Sequence, residues 1–398
     1  MTNSVPENPP LPKSLLDLVD ALKSAKDSSN PITRENAQVR LGELVERAKT
    51  EVPSLAKLEF THIWIPIGQI LEHHGQNHFT DALTAYQLAL EVFPLGESAN
   101  NPNVWRARAV AWMNIGNIQQ KLGDPKAGIA AYDTSLENLS RMSPSDTDAA
   151  IMAGALWLNR GSAVQRQNQQ ETLPEVVRSF QSAIDTLAPL DQSIPHVVHL
   201  GGAARLNLAA ALLSGPAPQV ETAYGLAQQV VANFANHEAA EPQFADISLR
   251  ARKMICEIAG FRINNAGTDA QKRSENVGLG TDTAEEALKL TAHWDKNGVF
   301  GFRGIVGWFL QYALALYARF QPQFLSEFVV ETLAGENTPA DWRSAAELNK
   351  MALAGVQGAE ANVQNELNRR TNPDEVTHLR GILESLKEAR TSLSTVHT

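Results

Sequence analysis

The chain has 398 residues, of which 43% are apolar and 20% charged, and its formal net charge is −10. An acidic balance of that size excludes the basic footprint of a nucleic-acid binder and general adhesion to an anionic membrane surface. A single cysteine, Cys256, excludes an internal disulfide and a cysteine-based metal site, and it fits a reducing, cytoplasmic setting.

The first stretch, MTNSVPENPPLPKS, holds four prolines and no apolar run. It reads as a disordered tail over 1–12 and not as a signal peptide. Residues 13–56 read as an N-terminal helical cap of two amphipathic helices, Pro12 to about Lys26 and Pro31 to about Thr50.

An internal repeat occupies residues 57–262. Its anchors are Trp64-Ile65-Pro66-Ile67-Gly68, Trp112-Met113-Asn114-Ile115-Gly116, Trp157-Leu158-Asn159-Arg160-Gly161 and Arg205-Leu206-Asn207-Leu208-Ala209, spaced by 48, 45 and 48 residues. Each is followed by a second pattern: Ala82 to Tyr86, Gly128 to Tyr132, Val176 to Phe180 and Ala223 to Ala227. A glycine inside a helix costs up to ~1 kcal/mol of propensity, and the close approach of a second helix offsets that cost. Tyr86, Tyr132 and Phe180 each precede a small residue by three positions on one helical face, so large and small groups interdigitate between paired helices. Gly75 and Gly123 fall between the two helices of a pair, where a left-handed cap is wanted.

The stretch Ala111 to Leu136 resembles a tetratricopeptide repeat: the Trp, the Ile-Gly pair, the Gly-Asp turn, the aromatic and the small residue follow in that order. Residues 64–94, 157–187 and 205–231 match with longer turns or lost anchors, Arg160 standing where Leu is usual. A fifth pair is expected near Lys253-Met254-Ile255-Cys256. The resemblance implies an all-α fold: an α-solenoid of tetratricopeptide-like helix pairs with helical N- and C-terminal caps. It also implies a non-catalytic scaffold whose first helices line a groove for a protein partner. Transferred by matching motif, the groove residues are His62, Ile65, Gln69, Glu72 and His73 of the first repeat. The second gives Met113, Asn117, Gln120 and Lys121. The third gives Leu158, Ser162, Gln165 and Arg166, and the fourth Leu206, Ala210 and Leu213.

The family unit has 34 residues, and this one is longer. Longer repeats with the helix Arg205-Leu206-Asn207-Leu208-Ala209-Ala210-Ala211-Leu212 are similar to the kinesin-light-chain branch. That similarity implies association with a cytoskeletal filament such as a bacterial tubulin polymer, reached by Arg106, Arg108, Lys121, Arg166, Arg250, Arg252 and Lys253. The alternative is a peptide-binding regulator, or an adaptor in an assembly or secretion complex.

After the array, the polar stretch Asn264–Thr281 reads as a loop, giving a boundary at 263–281, and residues 282–398 read as a C-terminal helical continuation or cap. Helix starts are expected at Thr283 with Glu286, at Thr338-Pro339-Ala340-Asp341 and at Asn372-Pro373-Asp374-Glu375. The apolar run Val299–Phe320, broken by Arg303 and Gln311, reads as a buried helix and not a membrane span, with self-association as its second use. Gly301, Gly304 and Gly307 fit no nucleotide fingerprint and read as close helix packing.

No constellation carries catalysis. Cys256 lies among Met254, Ile255 and Ile258, which reads as a buried thiol. His74 and His78 straddle Gly75 and so share no face for a metal. No cofactor, no metal and no enzymatic activity are expected.

Overall fold

The structure is a computed structural model that describes residues 17, 50, 64–73, 75–92, 101–167, 172–333, 339, 342 and 346–395. The expected tail, nearly all of the N-terminal cap, His62, His74 and most of the expected helix start at Thr338 lie outside the described residues.

Fourteen α-helices and two short 3-10 turns make up the described elements, with no strand among them. In chain order they are α1 Trp64–His73, α2 Phe79–Val92, α3 Pro102–Lys121, α4 Pro125–Leu139, α5 Thr147–Arg166, α6 Leu173–Leu187, α7 Pro195–Ser214 and α8 Val220–Phe234. There follow α9 Pro242–Asn265, α10 Ala270–Lys296, α11 Arg303–Phe320, α12 Pro322–Leu333, α13 Ala346–Leu367 and α14 Pro373–Thr395. The chain divides into two compact units, Met1–Ala204 and Arg205–Thr398. The division falls inside α7, within the expected repeat array and not at the expected loop.

In the first unit each helix packs on the next, from α1 through α6, and first helices also touch one another, α1 with α3 and α3 with α5. Contact limited to near neighbours in sequence is the packing of an α-solenoid. The first helices α3, α5 and α7 have 20 residues each, while the second helices α4, α6 and α8 have 15. Those long first helices account for much of the surplus in the repeat step.

The anchor glycines explain the hairpins. A Cβ placed on Gly68 would stand 2.5 Å from the Tyr86 ring, one on Gly116 2.4 Å from the Tyr132 ring, and one on Gly161 2.6 Å from the Phe180 ring. Each ring is buried flat against the backbone of its partner helix, a contact that any side chain at the glycine would forbid. The turns obey local chemistry as well. Gly123 has φ 84°, and the Asp124 amide donates back to the Gln119 carbonyl at 2.9 Å, closing α3 in a Schellman arrangement. Asp124 then caps α4 by accepting from the Ala127 amide, with Pro125 at the first helical position. Asn101 and Asp146 cap α3 and α5 in the same way. Arg160, standing at the family's Leu position, bridges three helices: its guanidinium reaches Asp133 of α4 at 2.6 Å and Glu175 and Ser179 of α6 at 2.7 and 2.9 Å.

In the second unit α8 packs on α9, α9 on α10 and α10 on α11. Beyond that the order changes. α11 packs on both α12 and α13, and α14 returns against α12 and α13. The core of this unit is continuous from Leu249 through Leu288, Trp294, Phe309, Leu310 and Leu314 to Phe328, Val356 and Leu386. A fifth hairpin is present near Cys256, but its second helix, α10, occupies the stretch expected to be a loop, and the apolar run forms the buried helix α11. Asn372 starts α14 as expected, accepting from the Asp374 amide at 3.0 Å.

Three expectations for this half are overturned. The polar stretch Asn264–Thr281 is mostly helix: α9 runs to Asn265 and α10 starts at Ala270, capped by Asp269 on the Lys272 amide. Gly280 is a packing glycine there, since a Cβ would stand 2.7 Å from the Tyr312 hydroxyl. Thr283 is consequently interior to α10, where its hydroxyl donates to the Leu279 carbonyl, and it starts no helix. Gly301, Gly304 and Gly307 are not at a close crossing, because a Cβ on any of them meets nothing within 4 Å.

Among the described residues one helix, Pro195–Ser214, is long and apolar enough to cross a membrane by length and composition, and 61% of its apolar window is buried within the protein.

Candidate protein-binding groove

Successive turns of a helix present residues at i, i+3 and i+4 on one face. Glu72 of α1, then Asn117, Gln120 and Lys121 of α3, then Ser162 and Arg166 of α5 occupy the C-terminal halves of three successive first helices. Stacking of the hairpins brings these six together around one cavity of about 240 Å³, which Tyr132, Asn159 and Ala163 complete.

The buried aromatics reach into this surface. The Tyr86 hydroxyl, whose ring covers Gly68, donates to Glu72 Oε2 at 2.9 Å. The Tyr132 hydroxyl, whose ring covers Gly116, donates to Asn117 Oδ1 at 2.9 Å. Burial raises the pKa of both phenols, so they stay protonated and remain donors. Lys121 Nζ lies 2.6 Å from Glu72 Oε1 and 5.3 Å from the centre of the Phe79 ring. That ion pair links the first two hairpins. Asn159 Nδ2 lies 3.4 Å from Asn117 Oδ1 and links the second to the third.

Some of the acceptors are therefore used within the protein. Both Glu72 oxygens are taken, and Asn117 Oδ1 accepts from two donors. What remains for a ligand is a mixture: the Asn117 amide N–H groups and the Arg166 guanidinium as donors, and the Gln120, Asn159 and Ser162 side-chain oxygens as acceptors. Arg166 is exposed and has no acidic partner among the described residues. A surface of this kind can match both the N–H and the C=O groups of a peptide backbone.

The other groove candidates distribute differently. Gln69, His73 and Gln165 are exposed but outside the cavity. Met113 packs against the core cluster around Tyr132 and Leu156, and Leu158 against Leu187 and Val197, so both serve packing and not the groove. Ile65 and Leu206 are buried. Ala210 and Leu213 belong to the second unit. Tyr132 and Asn159 were absent from the expected set. Asn159 carried a signal in the repeated Trp-x-Asn pattern, but the equivalent Asn114 is buried, so the pattern alone does not tell groove from core.

Most of the cations expected to face a partner are neutralised internally. Arg106 binds Asp146 and Asp148, Arg250 pairs with Asp246, and Lys253 with Glu257. Arg252 is buried, with Nη1 and Nη2 on the two oxygens of Glu238 at 2.7 and 2.9 Å. Cys256 is fully buried, and burial pushes its thiol up to about 12, so it has no thiolate character near neutral pH. No group of three metal-ligating side chains occurs among the described residues.

No family model matches the chain, and no curated protein matches it. A solved structure described as a circular tandem repeat protein with novel repeat topology and enhanced subunit contact surfaces is similar over 96% of this chain and 97% of that one, at 10% identity and a TM-score of 0.29. A score that low adds nothing to what the helices themselves define, an all-α protein of stacked hairpins.

Proposed function

We propose that this protein is a non-catalytic scaffold that holds a segment of a protein partner in the groove formed by α1, α3 and α5. The observation that carries this reading is the convergence of Glu72, Asn117, Gln120, Lys121, Ser162 and Arg166 on one polar cavity. Its test is a quantitative affinity purification from the native host, comparing the wild type with Arg166→Glu and Asn117→Ala. A third variant, Lys387→Glu, is the control, altering an exposed cation far along the chain in α14. Partners lost from both groove variants and retained by the control support the groove. An identical partner set for all four proteins overturns it.

The finer reading is a kinesin-light-chain-like protein on a tubulin-type filament. It is supported by the 45- to 48-residue step and by the helix Arg205–Leu212. The internal pairing of Arg106, Arg250, Arg252 and Lys253 leaves few cations for an acidic filament. Co-pelleting with polymerised filaments at low salt decides it, and absence from every pellet removes this reading while leaving the groove intact.

A further inference from the structure

The second unit contains a cavity of about 350 Å³ between α10 and α12, separate from the groove. Its size lies within the range of small-molecule sites, about 300–1,000 Å³. Leu288 and Ala292 recur at i, i+4 on α10 and form one apolar wall, while Phe328 of α12 and Trp342 form the other. Leu288, Phe328 and Trp342 are buried, so the floor is dry and fixed in place by the core.

The rim is polar and asymmetric. Lys289 stands beside Leu288 on the α10 edge, exposed and without an acidic partner among the described residues. His293, one turn further, holds the Ala239 carbonyl through Nε2 at 3.0 Å. Of the two acids at the rim, Glu285 accepts from the Tyr317 hydroxyl and is thus engaged within the protein, while Glu331 lies across the mouth on α12. Glu285 keeps its negative charge and stands four residues before Lys289 on α10, and Lys296 adds a second cation to the rim. The Lys289 ammonium is the rim cation with no ion-pair partner among the described residues.

We infer that this cavity binds a small amphipathic carboxylate. The apolar body lies between Leu288, Phe328 and Trp342, and the carboxylate takes a charge-assisted hydrogen bond from the Lys289 ammonium. The site shares no residue with the groove, and its occupancy does not depend on the scaffold reading.

Isothermal titration at low salt with 4-phenylbutyrate, and with the neutral 4-phenylbutanol, tests the assignment on the full chain. Saturable binding of the carboxylate is expected, and Lys289→Gln weakens it roughly five- to tenfold while changing the alcohol by less than about twofold. Ala292→Trp fills the cavity and abolishes binding of both probes. Thermal melts establish that each variant is folded. Lys289 is exposed, so its variant remains informative even where Ala292→Trp does not fold. No saturable heat with phenylbutyrate up to about 10 mM, or equal affinity in the wild type and Lys289→Gln, overturns the proposal.

Discussion

Gly116 has no room for one methyl group. The Tyr132 ring occupies the space a Cβ needs, and the same holds for Gly68 under Tyr86 and Gly161 under Phe180. Helix propensity alone favours alanine at each site by about 1 kcal/mol. Overpacking reverses the sign, and Gly116→Ala is expected to lose about 1–3 kcal/mol in urea unfolding. Gly225 in α8 supplies the contrast, because nothing lies within 4 Å of its Cβ position. There Gly225→Ala is expected to gain up to about 1 kcal/mol. Two stabilising variants, or two destabilising ones, would contradict this reading of the anchor glycines.

At the scale of a helix, capping ties neighbouring hairpins together. Asp146 accepts from the Ala149 amide at 3.0 Å to start α5 and takes Arg106 of α3 at 2.6 Å. The Ala149 hydrogen bond first, and then Arg106, hold its carboxyl below the ordinary aspartate range. A depressed carboxyl stabilises the fold above its unfolded pKa, about 3.9, and that contribution is lost as the pH falls through the folded value. Asp146→Ala is expected to lose about 1 kcal/mol at pH 7. Asp146→Asn, which keeps an oxygen at the cap, loses less, and the wild type's lead over it shrinks below about pH 4. Denaturant unfolding at pH 7 and pH 3 measures both, and a lead that is unchanged at pH 3 would assign no role to the charge. This level of the fold was legible from sequence where the Gly-Asp turn at Asp124 and the Asn-Pro pair at Asn372 act locally, while Thr283, an expected start, lies inside a helix. Polar stretches with glycine misled the reading at Asn264–Thr281, because the Tyr312 hydroxyl that requires Gly280 arrives from α11, over thirty residues away. The groove was legible as a set of helical positions at Asn117, Gln120, Ser162 and Arg166. Which of them pair with each other, as Glu72 does with Lys121, depends on contacts between hairpins that spacing does not encode.

At the scale of the molecule, the division between the two units falls within the helix α7. The first half of α7 buries Val197 and Leu200 against Leu187, and Leu206, Leu208 and Leu212 of its second half are buried as well. A proline at Ala204, on the division, removes a helical amide and clashes with the preceding turn at a cost of about 3 kcal/mol. Ala204→Pro is expected to speed hydrogen exchange at amides on both sides, 197–204 and 205–212. Loss of protection on one side alone would mean that the two halves of α7 are held independently. The groove in the first unit shows a related unevenness along the chain. Tyr86 and Tyr132 pin Glu72 and Asn117 from beneath, while Phe180, in the third hairpin, has no hydroxyl with which to do the same. The groove is thus preset over its first two hairpins and loose at Arg166. Immobilising a free arginine on binding costs about 0.5–1.5 kcal/mol. On the scaffold reading proposed above, the preset end would discriminate among ligand sequences and the loose end would tolerate variation in them.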